Sequence, residues 1–325
     1  MSAGLAIAAF VVGVVIVVWS TEWLLDGMVG LATLLRAAPF VIAGIFSGLE
    51  AENIAVGLAA GANRDAQIAL GTVFGGGSFI VCVALGLSAV LFPLRVRLPR
   101  GVLVMFAATP VAAGVVLVGP RTPRLAGALL LVAFVASIGY LVRASRSHAF
   151  LGGEAAESRE QTGERRTGWR PRWRPVGLTV AGLAVLTAGA ELVSHGADGI
   201  VAQFAFPAAI MGMIVTPAAI EAEEVIRQAV PTRLGRHDVA AGNLIGTLLY
   251  FVLFNLGLIA LITPVDVPSG VTTVDWPFLV VVTGLATVFL WRGGVSRVQG
   301  MLLLVAYAGY IAVHVLRAVA DPALG

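Results

Sequence analysis

Five apolar stretches, each long enough or nearly long enough to cross a bilayer as a helix, constrain this 325-residue chain more than any other feature. A helix rises about 1.5 Å per residue, so the roughly 30 Å hydrocarbon layer takes about 20 residues. The stretches are 3–19, 102–118, 125–142, 277–290 and 301–315. Because backbone polar groups in lipid must be satisfied within the protein, we expect closed helices there.

Composition extends this expectation to the whole chain. Hydrophobic residues make up 58% and charged residues only 12%, which is more apolar surface than a water-soluble core can hide. We therefore predict an all-α membrane protein surrounded by the lipid bilayer. The opening stretch lacks a basic segment and a small-residue cleavage site, so we interpret it as the first span. The lone Cys82 excludes an internal disulfide bond.

We predict about ten transmembrane helices, with one long polar interruption after the fifth. The expected spans are 3–20, 29–60, 67–93, 101–119, 124–143, 177–199, 205–230, 238–262, 275–291 and 298–318. The interruption is rich in arginine and glutamate, which is typical of a flexible linker. The chain then divides into a first five-helix repeat at 1–143, a linker at 144–176 and a second five-helix repeat at 177–325.

Arginines in the loops predict the orientation, because cytoplasmic loops carry an excess of positive charge. With the linker in the cytoplasm and both termini outside, most loop arginines fall inside: Arg95, Arg97, Arg100, Arg233, Arg236, Arg292 and Arg297. Asp198, Asp266 and Asp275 then fall on the outer side, with a minority of arginines that includes Arg121. The prediction is a multi-pass protein of the cell membrane. The net charge of +3 reports this orientation, and no nucleic acid partner is expected.

Five spans on each side of the linker leave the two halves in opposite orientations, which is an inverted repeat. The repeat is also visible in residues at a constant offset of 171. Leu49–Asn53 matches Ile220–Glu224, and Ala69–Gly75 matches Ala240–Gly246. A shorter match sets Glu22 against Glu191 in the first span of each half.

Carboxylates stand in the second predicted span of each half, where a charge costs at least a few kcal/mol unless it has a partner, a polar cavity or an ion. They are Glu50, Glu52, Glu221, Glu223 and Glu224. Helical spacing puts Glu50 beside Asn53, and Glu221 beside Glu224, whereas Glu52 and Glu223 point away from those faces. Oxygen ligands of this kind suit calcium and sodium. The alternative is that some of these glutamates cap half-helices or pair with arginines.

Glycines in the third and eighth spans permit close helix packing, either for its own sake or to bring oxygen atoms to the carboxylates. They are Gly71, Gly75, Gly76, Gly77, Gly242 and Gly246. In the second case the hydroxyl and amide groups nearby complete an ion's oxygen shell. These groups belong to Thr72, Ser78, Asn243 and Thr247.

An acidic motif, then about twenty residues, then a Gly-Asn-x-x-Gly-Ser-like motif, all repeated once, resembles the paired repeats of the sodium/calcium exchanger superfamily. The resemblance spans all predicted helices. It implies that the glutamate of a Gly-Thr-Ser-x-Pro-Glu motif binds the transported ion, and it places Glu224 on that glutamate, Glu221 on the serine and Glu223 on the proline. Thr247 falls on the serine of the Gly-Ser motif.

The chain departs from the family pattern in several places, which leaves the ion's identity open. In the first half Asn53 falls on the family glutamate, and neither half has the Thr-Ser-x-Pro run. Ile80 and Phe251 replace a later asparagine or aspartate ligand. The segment from Gly44 to Asn53 is also three residues shorter than the segment from Gly212 to Glu224. A local shift in the first half can therefore give Glu52 or Glu50 the ligand role.

The function predicted from these features is secondary antiport by alternating access, exchanging calcium or another cation for sodium or protons. The first and sixth spans, with Glu22 and Glu191, would move against the ion-binding helices. No cofactor is required. A sodium/proton antiporter on the same fold remains open, and an intramembrane enzyme has less support because no catalytic motif is present. His195 is expected to be an ordinary interfacial residue.

Overall fold

A computed structural model of the chain describes residues 3–35, 39–46, 57–58, 60–64, 66–147, 173–201 and 221–320. Three of the predicted ion ligands lie outside the described residues: Glu50, Glu52 and Asn53. Most of the predicted linker, 148–172, lies outside them as well.

The described fold is almost entirely helical. In chain order the α-helices are α1 Ala3–Leu35, α2 Pro39–Phe46, α3 Ala66–Phe79, α4 Leu85–Leu91, α5 Arg100–Ala113, α6 Arg124–Ser147, α7 Arg174–Val201, α8 Ala222–Arg233, α9 His237–Leu249, α10 Leu256–Ile262, α11 Trp276–Trp291 and α12 Arg297–Ala320. Wider π-helical turns at Ile80–Ala84, Tyr250–Asn255 and Val271–Asp275 connect α3 to α4, connect α9 to α10 and precede α11. Two short strands, β1 Leu94–Arg95 and β2 Gly294–Val295, pair antiparallel.

Within the described residues, six continuous helical segments are long and apolar enough to cross a membrane. They are Gly4–Leu35, Ile68–Leu91, Arg124–Ala144, His237–Ile262, Val271–Trp291 and Arg297–Arg317. Shorter apolar helices occupy Arg100–Val116 and Arg174–Gly189. The prediction of a helical membrane protein is confirmed, and the count of ten spans stays a prediction.

The predicted end of the first span near residue 20 is wrong, because α1 continues without a break to Leu35. Its charged residues, Glu22 and Asp26, are one helical turn apart and both are exposed. Leu24, Leu25 and Met28 on the other side are buried. An amphipathic turn of this kind continues the helix instead of ending it.

The central helices carry the candidate site, and the outer ones face the surroundings. In an apolar 18-residue stretch of Ile68–Leu91, 88% of the residues are buried, and in one of His237–Ile262, 78% are buried. The share is only 28% in the apolar stretches of α1, α6 and α12. The polar groups of α3 and α9 therefore meet other protein groups, whereas most of the α1, α6 and α12 surface is left for lipid.

Helices α1 and α7 run antiparallel and lie in close contact along most of their length. Three glycines of α7, seven residues apart, make this possible: Gly182, Gly189 and Gly196. A Cβ added at Gly182 would lie 2.8 Å from the backbone nitrogen of Leu24, and one at Gly189 would lie 3.1 Å from that of Val17. Gly196 meets Phe10 in the same way. Side chains larger than hydrogen at these positions would separate the two helices.

Several local contacts recur at equivalent places in the two halves. The π-helical turns at Ile80–Ala84 and Tyr250–Asn255 are related by the offset of 171 residues. Gly86 packs against Gly300, and Gly127 packs against Gly257. In each pair one glycine comes from the third helical segment of a half and the other from near the start of the opposite half's last helix.

Loop contacts follow the same reciprocal pattern. Strand β1, after α4, pairs with β2, before α12, and the loop at Arg121, before α6, forms a bridge with Asp266, after α10. The backbone N–H of Thr122 donates to the carbonyl of Val265 at 2.9 Å. These pairings group the loops as the span count does, and which group faces the cytoplasm stays a prediction.

Candidate ion-binding site

The acidic cluster of the second half is the N-terminus of α8. Glu221 occupies the N-cap position, and Glu223 and Glu224 stand in the first turn. Their exposed fractions are only 1%, 6% and 1%. The partial positive charge at a helix N-terminus stabilises carboxylates placed there, which partly offsets their burial. The Glu221 side chain caps none of the described backbone N–H groups of α8, so capping does not explain its position.

Arg227 joins two of these carboxylates. It is 4% exposed, and its Nη1 atom lies 2.5 Å from Oε1 of Glu224 and 3.6 Å from Oε1 of Glu223. The three residues follow the i, i+3 and i, i+4 spacing that brings side chains together on a helix. One guanidinium therefore reaches both Glu223 and Glu224, which agrees with the alternative that some of the glutamates pair with arginines. Arginine pairing was foreseen only in general, although this spacing already indicated Arg227.

Asn243 connects the cluster to α9. Its Nδ2 atom donates a hydrogen bond to Oε2 of Glu224 at 2.9 Å, across a sequence separation of 19 residues. The two oxygens of Glu224 are thus engaged by the ion pair on one side and by the amide on the other. A cation that binds this carboxylate must displace one of these partners or share an oxygen with it.

Two hydroxyl groups in the central helices add further oxygen atoms. The side chains of Ser78 on α3 and Thr247 on α9 are fully buried, and neither hydroxyl has a hydrogen-bond partner among the described residues. A buried, unpaired hydroxyl is costly unless another group satisfies it. Thr72 lies on α3, but its side chain is not among those described.

Glycines bring the helices of the two halves together around the cluster, as the sequence predicted. A Cβ added at Gly76 of α3 would lie 3.7 Å from Cγ of Glu221 and 2.7 Å from the ring of Phe251. On α9, Gly242 contacts the carbonyl of Phe40, and Gly246 contacts that of Gly44. Helix α2 of the first half therefore lies directly on the helix that carries Asn243.

Among the described residues, no three His, Cys, Asp or Glu side chains converge closely enough to hold a metal ion by themselves. The described carboxylate and amide groups of the site, from Glu221, Glu223, Glu224 and Asn243, come from the second half, as does the Thr247 hydroxyl, whereas the Ser78 hydroxyl comes from the first half. The predicted first-half ligands of the second span belong to the undescribed segment. The carboxylate part of the expected site is therefore described for one of its two halves.

A family model for the sodium/calcium exchanger protein matches residues 5–143 and 174–316, which together make up most of the chain. The chain belongs to the sodium/calcium exchanger family. Members of this family are transporters and not enzymes. The two matched segments correspond closely to the predicted halves and leave the arginine-rich region between them unmatched.

Curated relatives of this exchanger-family chain extend over nearly its full length. The inner membrane protein YrbG of Escherichia coli strain K12 is 26% identical over 313 residues, covering 94% of this chain and 95% of YrbG. CaxA of Alkalimonas amylolytica, whose name describes it as a candidate antiporter, is 25% identical over 312 residues, covering 92% and 95%.

Solved structures of the sodium-calcium exchanger NCX_Mj share the fold. A form soaked with sodium and strontium superposes with a TM-score of 0.77 at 19% identity, covering 96% of this chain and 99% of that one. A form soaked without sodium or calcium gives a TM-score of 0.76 at 20% identity. At this identity the likeness establishes the all-helical exchanger fold and nothing finer.

A second buried polar cluster in this family member was not predicted. Asp275, the first residue of the predicted ninth span, is fully buried where the third π-helical turn joins α11. Its Oδ1 atom accepts a hydrogen bond from the Tyr310 hydroxyl at 2.6 Å and lies 2.8 Å from Nε2 of His314. Both partners are on α12, so the cluster fastens α12 to the start of α11.

The acidic residues of the two first helices are placed differently from the α8 cluster. Glu22 on α1 and Glu191 on α7 are both exposed. The Nδ1 atom of His195 lies 2.7 Å from the backbone carbonyl of Glu191, a local contact within α7. This contact fits the interpretation of His195 as an ordinary residue of its helix.

Proposed function

We propose that this chain is a secondary active cation antiporter that carries calcium or another cation in exchange for sodium or protons by alternating access. The observation that carries the proposal is the buried carboxylate of Glu224, held between Arg227 and Asn243 at the start of α8. Family membership supplies the coarser conclusion that the chain moves cations across a membrane.

The charge of the cluster supports a cation as the cargo. The first turns of α8 hold three buried glutamates and one buried arginine, so carboxylates outnumber guanidinium groups on this part of the helix. Buried charge of this kind is stable only when an ion, a proton or a further partner compensates it. Two cations that enter from opposite sides of the membrane and compete for the same carboxylates provide the coupling that antiport needs.

The proposed ligand set draws on both halves. In the second half it comprises Glu221, Glu223, Glu224, Asn243 and Thr247, and in the first half Glu50, Glu52, Asn53 and Thr72. Two inverted five-helix repeats, 1–143 and 177–325, with a linker between them, would bring these sets together near the membrane midplane. The reciprocal glycine, loop and π-turn contacts support that arrangement.

Alternating access requires one part of the protein to move against another. The proposed moving part is the α1–α7 pair, since these helices contact each other along most of their length and lie outside the buried centre formed by α3 and α9. The pair would slide or tilt over α8 and α9 and expose the site to one side at a time. The proposed orientation keeps the linker in the cytoplasm and both termini outside.

The second candidate, a sodium/proton antiporter, is favoured by the same arginine. A guanidinium already paired with Glu223 and Glu224 leaves less negative charge for a divalent ion. A monovalent cation needs less negative charge from its ligands than a divalent cation does. Sodium and protons then become the exchanged pair on the same fold.

Flux into proteoliposomes tests both candidates. Purified protein would be reconstituted, and uptake of radioactive calcium or sodium measured under an imposed outward gradient of sodium or protons. Calcium uptake driven by either gradient supports the first candidate, whereas sodium uptake driven only by protons supports the second. Absence of flux of either cation under all gradients, with the protein verified as folded and inserted, would contradict cation antiport.

A further inference from the structure

Arg227 occupies the position where a cation bound between Glu223 and Glu224 would sit. Its Nη1 atom lies 2.5 Å from Oε1 of Glu224, which is within the range of calcium–oxygen distances, about 2.3–2.6 Å. The same atom lies 3.6 Å from Oε1 of Glu223. A metal ion and this guanidinium nitrogen therefore cannot contact Oε1 of Glu224 from the same side at the same time.

Arg227 is held in this place by its surroundings. It is 4% exposed and lies one turn after its two partners on α8, so its charge is poorly screened by bulk water. A buried arginine retains its proton at any pH at which the protein functions. It is thus a permanent positive charge inside a site of titratable carboxylates.

We propose that Arg227 is a tethered competitor of the transported cation and sets the site's preference for monovalent over divalent ions. This inference rests on the proposed function, because it concerns the same carboxylates. Binding of a cation between Glu223 and Glu224 moves the guanidinium aside, a cost shared by all cations that bind there. The displaced charge stays tethered to α8 and repels a divalent ion twice as strongly as a monovalent one.

The test is ion affinity in a set of charge variants of the full-length protein. Calcium chloride and sodium chloride would be titrated separately into detergent-purified protein by calorimetry, at an alkaline pH that keeps the carboxylates ionised. Arg227→Gln removes the charge, and Arg227→Lys keeps it. Arg233→Gln, at the exposed end of the same helix, is the matched control.

Arg227→Gln is expected to raise calcium affinity at least about tenfold more than sodium affinity, because one unit charge a few ångströms away acts on one extra ionic charge. Arg227→Lys and Arg233→Gln are expected to keep the calcium-to-sodium affinity ratio within about threefold of the unmodified protein. If Arg227→Gln does not fold, Arg227→Met carries the test, since it removes the same charge with an unbranched side chain that suits a buried position, and it must raise that ratio by the same factor.

An unchanged ratio in Arg227→Gln, or a loss of affinity for both ions in folded protein, would overturn the proposal. The first result means that the arginine charge does not affect the choice between the two ions. The second means that Arg227 only supports the structure. If the unmodified protein binds neither cation, the proposed function itself fails. The two failures are therefore distinguishable.

Discussion

Replacing Glu224 with glutamine separates the role of its charge from that of its shape. Glutamine keeps the size of the side chain but removes the charge 2.5 Å from Arg227. Removing one partner of a buried ion pair typically costs about 3–5 kcal/mol, because the other charge is left uncompensated. Glu223 still faces Arg227 at 3.6 Å, so we expect the lower end of that range, about 3 kcal/mol. The weaker hydrogen bond from Asn243 adds about 1 kcal/mol.

Glu223→Gln is the matched comparison, since it removes an equal charge from the same turn. Coulomb attraction falls with distance, so at 3.6 Å it is about seven-tenths of that at 2.5 Å. We expect Glu223→Gln to cost about 2 kcal/mol. Both changes relieve repulsion among the carboxylates, which makes the difference between the variants more informative than either value.

The assay is unfolding in mixed detergent micelles, with increasing sodium dodecyl sulfate and detection by tryptophan fluorescence and circular dichroism. The free energy of unfolding of both variants should fall, with that of Glu224→Gln lower by at least about 1 kcal/mol. A Glu223→Gln variant that is less stable than Glu224→Gln would refute the assignment of Glu224 as the main partner of Arg227.

Three further predictions concern the buried Asp275 cluster, the contact between α1 and α7, and the orientation in the membrane. Asp275→Ala should lower the free energy of unfolding by about 2–5 kcal/mol, because it leaves Tyr310 and His314 without their buried acceptor. Asp275→Asn should cost less in the same micelle titration, and equal losses would contradict this role. Gly182→Leu should separate α1 from α7 and cost about 1–3 kcal/mol or more, whereas Gly139→Ala, with open space around it, should be neutral or slightly stabilising. Single cysteines placed in the 144–176 linker, in a Cys82→Ala background, should react with impermeant maleimide only after the cytoplasmic side is opened. Labelling in intact cells would reverse the proposed orientation.

Hydropathy predicted the positions of several described helices well, because it reports a requirement that the bilayer imposes along the whole chain. The predicted span 67–93 corresponds to Ile68–Leu91, and 238–262 corresponds to His237–Ile262. The break near residue 20 was wrong because polar residues within a span were taken as a loop. Glu22 and Asp26 instead lie on one exposed face of a helix that buries its other side.

The residues around the candidate site were partly predictable. Spacing from Gly242 placed Glu224 on the family glutamate, and Asn243 was expected near the carboxylates. In the structure the two side chains share a hydrogen bond. The bridge through Arg227 depends on side-chain reach along α8, which pattern matching to the family motif did not consider. Predicting such a bridge depends on the residues three and four positions after each buried charge.

Burial of Asp275 was beyond prediction from local sequence. Its partners Tyr310 and His314 are 35 and 39 residues away on another helix, and nothing near Asp275 in the chain indicates them. An aspartate before an apolar stretch is equally compatible with a loop. The contact of α11 with α12 decides the matter, and that contact is a property of the folded protein.

The central claim, that cations exchange at the carboxylate cluster of α8, is tested most directly by flux through Glu224→Gln. Unmodified protein, Glu224→Gln and Glu52→Gln would be reconstituted at matched density, and uptake of radioactive calcium and sodium followed under opposing sodium or proton gradients. The account predicts that uptake requires the opposing cation and that Glu224→Gln loses at least about tenfold in apparent affinity, more than Glu52→Gln. Uptake through Glu224→Gln equal to that of the unmodified protein, with Glu52→Gln inactive, would place the ion elsewhere and contradict the account.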